Sequence, residues 1–475
     1  MQRILENSKV YKILITMSSW FAVQWQDSRI IDRFLSSGHD GHEADSVIAR
    51  VWQRLRLFQS TLFNKLRLTG RMDGSLLTKP FIWVSATIFL APILPTMIIL
   101  GLSLVSFLSV YLTFGGNSEH KLAYSPVNKY FYLFSLSYII ATFTSVTVTG
   151  SLYGGALTAL FPIFAVILQN AVASRRQLLS LLYIFALSGA AVSAYGIYQF
   201  MFGASNAAAW YDSEMFSAIG MRVYSTLENP NVLAEFLLLV IPFTAAVIMI
   251  TKKILVKLFF TGCLGVMLVC LLLTFTRGGW LGLLIAAALF LIMLDRRFIL
   301  AGIFGVALLY LALPDIILDR FLSIGNTDDS STSYRVFIWM GSIEMLRDFW
   351  FTGIGPGTAA FNRIYPLYGF NTVTAPHSHN LYLQIMIEAG ISGILIFFAI
   401  VFSYFRSLCA AVRKEKDRVF KILQIAAISS VFGFLVQSAT DHSFYNYRVM
   451  LIFWIVIGLG IMTVNRSSLE GDESG

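Results

Sequence analysis

Residues 81–114 run for 34 positions without an Asp, Glu, Lys, Arg or His. Drawn as one helix at 1.5 Å per residue, such a run would be about 51 Å long, against a bilayer core of about 30 Å. Pro92 and Pro95 fall in its first half, where a helix breaks, so the stretch is expected to fold as a hairpin of two short spans. Further apolar runs lie near 130–149, 151–171, 178–202, 232–251, 257–275, 279–295, 298–314, 381–404, 420–439 and 448–465. With the hairpin they make about twelve transmembrane helices, an all-α polytopic membrane protein. Only 13% of residues are charged and 57% are hydrophobic, against roughly a quarter charged in a soluble chain.

Charge placement gives the orientation. With the N-terminus inside, the connections reaching the cytoplasm are 173–177 (ASRRQ), 251–257 (TKKILVK), 295–297 (DRR) and 406–421 (RSLCAAVRKEKDRVFK), all basic. Positive loops stay cytoplasmic, so both termini are expected there, in a cell membrane. The formal net charge of +9 then reports topology, and no nucleic-acid partner is implied. Residues 1–80 form a separate region. Arg50, Arg54, Arg56, Lys65 and Arg67 alternate there with Val, Leu and Phe, and Trp20 and Trp25 precede them. That pattern suits an amphipathic helix on the anionic leaflet, in contact with membrane lipids. The start lacks the apolar core and small-residue site of a cleaved signal. Residues 81–465 are the transmembrane domain, and 466–475 a cytoplasmic tail. Cys263, Cys270 and Cys409 suggest neither a disulfide framework nor a thiolate metal site.

The polar features collect on the other side. Two long loops, 203–231 and 315–380, and two turns, 274–280 and 439–448, face away from the cytoplasm. Three isolated arginines lie there: Arg222 in GMRVYSTLENPN, Arg277 in TFTRGGW and Arg335 in STSYRVFIW. Arginine on the side that disfavours cations is informative, because its planar fork holds phosphate oxygens bidentately. Arg277 ends an apolar run and precedes two glycines. A headgroup-snorkelling role is its plainer alternative. His377 and His379 stand at the start of the run from 381, and histidine exchanges a proton near neutral pH. Asn380 follows as a helix cap. Asp441 and His442 offer an orienting carboxylate or a second base. The spacing of the two histidines suits no metal set with Asp328 and Asp329, so no metal or other cofactor is expected. Walker and GxGxxG nucleotide motifs are missing from the sequence.

These residues fall into a recognisable order. HNLYLQIMIEAGISG places His379-Asn380, nine residues, Gly390, two residues and Gly393, which resembles the histidine motif of the O-antigen ligase family. TFTRGGWLGLL is similar to that family's Ser/Thr-Arg-Gly-x-Trp-x-Gly segment. STLENPNVLAEF resembles its Asn-Pro-Asn segment after an arginine, and GIGPGTAAF its Gly-x-Gly-x-Gly turn. The resemblance runs from about 130 to 465 and extends to Wzy-type polysaccharide polymerases and to proteins once proposed as bicarbonate transporters.

The resemblance implies a GT-C-like membrane glycosyltransferase. Such an enzyme takes a glycan from an undecaprenyl-diphosphate-linked donor and passes it to an acceptor hydroxyl on a glycan, lipid or polymer, with inversion and without metal. Carried onto this chain, His379 is the catalytic base, and Arg222, Arg277 and Arg335 hold the diphosphate. His377, Asn380, Asp441 and His442 are supporting residues. A polymerase is the nearest alternative. An anion transporter is the rival of another class, disfavoured because the spans are nearly free of ionisable groups apart from Glu235 and Glu388 and the polar features collect on one side.

Overall fold

The computed structural model describes residues 75–115, 125–203, 222–295, 330–371 and 373–465, with isolated positions at 61, 123, 297, 298 and 302. The chain divides into two compact units, residues 1–69 with 115–118 and residues 70–114 with 119–475; the membrane-crossing candidates lie in the second. Most of the N-terminal region, residues 204–221, the expected span at 298–314, Asp328, Asp329 and the tail lie outside the described residues.

The described chain is helical. Eight helices are long and apolar enough to cross a membrane, and two shorter apolar helices accompany them. The 81–114 run breaks where its prolines stand: α1 (Pro80–Leu90) ends before Pro92, and α2 (Thr96–Gly115) begins after Pro95. The hairpin is tied by a buried 3.2 Å hydrogen bond between Thr87 and Ser106. With 11 residues, α1 is too short to reach across a core of about 30 Å. The same holds for α3 (Asn128–Phe143), whose 16 residues stop short of the expected 149. Twelve complete crossings are thus not matched by the described residues.

The remaining spans are α4 (Val148–Ala171), α5 (Arg175–Phe202), α6 (Pro230–Ile250), α7 (Ile254–Leu273) and α8 (Arg277–Leu294), followed later by α11 (Leu381–Lys414) and α12 (Arg418–Gln437). The last helix, α13 (Tyr447–Met462), is short and almost wholly buried. In α6 and α12, 78% of the apolar window is buried, against 28% in α2, α7 and α8, so the first pair forms the centre. Close approach of α8 to α12 depends on Gly282 and Gly433. A Cβ on Gly282 would lie 2.8 Å from the Gly433 carbonyl, and one on Gly433 2.9 Å from that of Gly282, the small-residue contact that membrane helices use in place of a hydrophobic drive.

Two features depart from the sequence reading. The expected loop 315–380 contains a 20-residue helix, α9 (Ser330–Phe349), and a short one, α10 (Thr358–Ile364). Buried Ile338, Gly341, Ser342 and Met345 recur at helical spacing, but the apolar stretch around the first three, bounded by Arg335 and Glu344, is far shorter than the ~20 residues of a span. Together with Ile354, Phe361, Tyr365 and Ile387 they build a second, smaller core. The other departure is that α11 is not continuous. Gly390 adopts φ 62° and ψ −163°, so a stub of residues 381–389 precedes the long segment. The glycine turn at 353–357 repairs this break. Ile354 and Gly355 donate to the Ile387 and Glu388 carbonyls at 2.8 and 3.1 Å, and Ile391 donates to the Trp350 carbonyl at 2.8 Å. Gly353, Gly355 and Gly357 all have φ between 72° and 98°, which is why glycine is needed there.

Candidate functional site

The ends of seven segments meet at one end of the bundle. Between α7 and α8 the turn is only three residues, with Phe275 at φ 48° and Thr276 as the residue before the helix. Arg277 is therefore the first residue of α8, its position fixed by the shortness of the turn. Residues 222–224 run beside this turn, and Val223 donates to the Leu273 carbonyl at 3.0 Å. Arg222 is 6% exposed. Its Nε donates to the Thr274 carbonyl at 2.8 Å, and one Nη donates to Asn231 at 2.9 Å and Thr276 at 3.0 Å. Arg277 reaches across to Thr332 of α9 at 3.4 Å.

Arg222, Arg277 and Arg335 line one cavity of about 320 Å³, together with Asn231, Gln437 and Asp441 among others. Three guanidinium groups face a single carboxylate there. The N-terminal residues of α6 and α8, Asn231 and Arg277-Gly278, also line it, so two helix dipoles present their positive ends.

The histidines stand beside it. Asn380 caps α11, accepting from the Leu383 N–H at 3.0 Å and donating to the Ala439 carbonyl at 2.9 Å. The Leu381 N–H bridges to the Ser438 and Asp441 carbonyls at 2.9 and 3.1 Å. These bonds join the 377–380 loop to the 438–446 turn. His379 itself has φ 49°, a left-handed conformation that a side-chain-bearing residue adopts at a cost of about 1–3 kcal/mol. Its Nδ1 lies 3.2 Å from an oxygen of Asp441. That oxygen also accepts the His442 N–H at 2.8 Å. The His377 ring stacks on Tyr445 at 4.6 Å and lies 4.2 Å from the His379 ring and 5.4 Å from His442.

Burial pushes the Asp441 carboxyl upward, but the hydrogen bond with His379 and the Arg335 guanidinium outweigh it, leaving the group well below the usual carboxylate range. Asp441 is thus ionised, and His379 donates its Nδ1 proton to it. A neutral ring held this way carries its lone pair on Nε2, the tautomer a base needs. Burial, followed by the neighbouring histidines, holds His377 well below its ordinary value. Burial likewise lowers His442 to about 3. Both are neutral near pH 7. His377 Nδ1 accepts the His379 N–H at 3.2 Å, so its own proton sits on Nε2.

A second cavity, of about 200 Å³, lies against the same cluster and is lined by His377 and His442 with Tyr138, Gln384, Glu388 and Tyr447 among others. The structure therefore brings together every residue singled out from the sequence. Arg222, Arg277, Arg335 and Asp441 share one cavity, His377 and His442 line the other, and His379 joins them through Asp441. Asn380 has a capping role. Sequence reasoning missed the part played by Glu388, which takes hydrogen bonds from Tyr138, Gln384 and the Gly357 N–H at 3.0, 3.1 and 3.2 Å. It also missed Arg448, which pins the 226–228 turn through the Thr226 carbonyl at 3.0 Å and Glu228 at 3.3 Å. Arg448 could have been found by the logic that found Arg277, a lone arginine at the same end of a span. Among the described residues, no three His, Cys, Asp or Glu side chains are grouped to hold a metal ion.

No curated protein matches the chain. Residues 262–398 match the family model described as O-Antigen ligase, a stretch that contains Arg277, Arg335, His377 and His379 but not Arg222 or Asp441, and this match supports the O-antigen ligase/Wzy superfamily for the chain.

Proposed function

We propose that the protein is a membrane glycosyltransferase that moves a glycan from a polyprenyl-diphosphate donor to an acceptor hydroxyl, at the face of the cytoplasmic membrane away from the cytoplasm. The observation that carries this reading is the convergence of Arg222, Arg277 and Arg335 on one cavity whose single carboxylate, Asp441, holds His379. Arginines far apart in the chain meet an imidazole already set in its basic tautomer.

In the reaction the acceptor oxygen attacks the anomeric carbon of the donor sugar. Its proton passes to His379 Nε2 while the new C–O bond forms. The bond from the anomeric carbon to the diphosphate oxygen breaks, and its electron pair leaves with the diphosphate. Negative charge grows on that leaving group, and the three guanidinium groups and two helix N-termini stabilise it where water is scarce. Attack from the face opposite the leaving group inverts the anomeric centre. Asp441 steadies the imidazolium that forms, without itself taking the proton. The ligase and polymerase versions differ only in whether the hydroxyl belongs to a distinct acceptor or to another lipid-linked glycan.

Purified protein in lipid nanodiscs, given a polyprenyl-diphosphate-linked glycan and an acceptor, tests the reading. Transfer by wild type that His379→Ala and Arg277→Lys both lose supports it. Equal transfer by either variant removes that residue from the mechanism. Product length distinguishes single transfer from polymerisation.

A further inference from the structure

The cavity on the Tyr447 side of the histidine cluster is not needed for the diphosphate, and its chemistry is of another kind. Among the described residues its lining holds no lysine or arginine. It combines tyrosine rings with a carboxyl, an amide and hydroxyls, the combination that suits a polyhydroxylated ring: apolar C–H faces lie on aromatic surfaces, and convergent polar groups fix the hydroxyls. Tyr153 and Tyr447 meet edge to face at 5.5 Å. Tyr153 is exposed at the rim, whereas Gln384, Glu388 and His442 are buried at the floor. The Glu388 carboxyl is fixed by three donors from separate segments, so the floor is formed before anything binds. A volume of about 200 Å³ gives room for a sugar ring.

We propose that this cavity is a sugar subsite, holding a neutral hexose-sized ring of the acceptor across the histidine cluster from the arginines. The proposal rests on the transferase reading and assigns its two substrates to separate cavities. The donor's diphosphate goes to the arginines and the acceptor's terminal ring to the tyrosines. His379 and Asp441 stand at the boundary, where the acceptor hydroxyl must lose its proton.

The test uses the full chain in nanodiscs, with inorganic pyrophosphate as the probe of one cavity and methyl glycosides of glucose, galactose and N-acetylglucosamine as probes of the other, read by calorimetric titration. At least one glycoside binds wild type at millimolar concentration. Tyr153→Ala, at the exposed rim, and Glu388→Gln each weaken that binding roughly ten-fold, raise the acceptor KM to match, and leave pyrophosphate binding unchanged. Arg277→Lys does the reverse. The proposal is overturned if no glycoside binds wild type, if Tyr153→Ala binds it as wild type does, or if pyrophosphate competes with it. Intact pyrophosphate binding in Arg277→Lys would instead strike at the diphosphate role, leaving the glycoside result standing.

Discussion

The arginine cavity and the tyrosine cavity share the histidine cluster between them, yet they differ in nearly every property that selects a ligand. One is lined by three guanidinium groups and two helix N-termini; the other holds no cation and a carboxyl fixed by three hydrogen bonds. The arginines come from the segment just before the 225–227 turn, the start of α8 and the first turns of α9. The tyrosine cavity is built from the interior of α3 and α4, the stub of α11 and the start of α13. The contrast teaches that charge and shape are supplied by different parts of the chain, joined where Asp441 lines one cavity and His377 and His442 line the other.

The largest effect expected from breaking this arrangement is at the boundary. His379→Ala should lower transfer by roughly 10²–10⁴-fold, the range a positioned general base supplies, with the protein still folded in the membrane; the glycan-transfer assay reads it. Next comes Arg277→Lys. A point charge replaces a fork, and the loss should be on the order of 10²–10³-fold, with weaker pyrophosphate binding on the arginine side alone. Asp441→Asn should cost roughly 10–100-fold, because a carboxamide can donate to Nδ1 and favour the wrong tautomer. A variant as fast as wild type would show that Asp441 does not orient the base.

The smallest effect concerns pH. His377 and His442 have lowered values in the folded state, so below an ordinary histidine value of about 6.5 the unfolded chain takes up protons that the folded chain refuses. Stability should therefore fall as pH drops from about 6.5 towards about 3, where His442 titrates. Asp441 works in the same sense, in a more acid window. Its lowered carboxyl contributes stability above the ordinary carboxylate range, about 3.9, and that contribution is lost only at more acid pH. Melting temperature against pH in nanodiscs should show the histidine slope, and His442→Gln should flatten it.

The site was largely legible in the sequence because its members break a rule. Arginines on the cation-poor side and histidines at the lip of an apolar run are costly there, and cost draws attention to function. Glu388 breaks a rule as well, but one acid in an apolar helix says nothing of the tyrosines that surround it, since Tyr138 and Tyr447 are 250 and 59 residues away in sequence. Such a cavity has no linear signature. The bundle was legible as apolar runs, whereas the lengths of α1 and α3 were not, because hydropathy does not report where a helix stops. In α9 the apolar stretch between Arg335 and Glu344 was too short to stand out as a span.

The discontinuity in α11 has a mechanical consequence. The backbone groups released at Gly390 are taken up by Trp350, Ile354 and Gly355, so the stub bearing the histidine loop is latched to a polar layer and not simply to the shaft beneath it. A Cβ at Gly390 would run into the Phe351 carbonyl and spring that latch. Insertion relies on the shaft, and aim relies on the latch. Damage at this joint should leave a protein seated in its bilayer with its chemistry pointed nowhere.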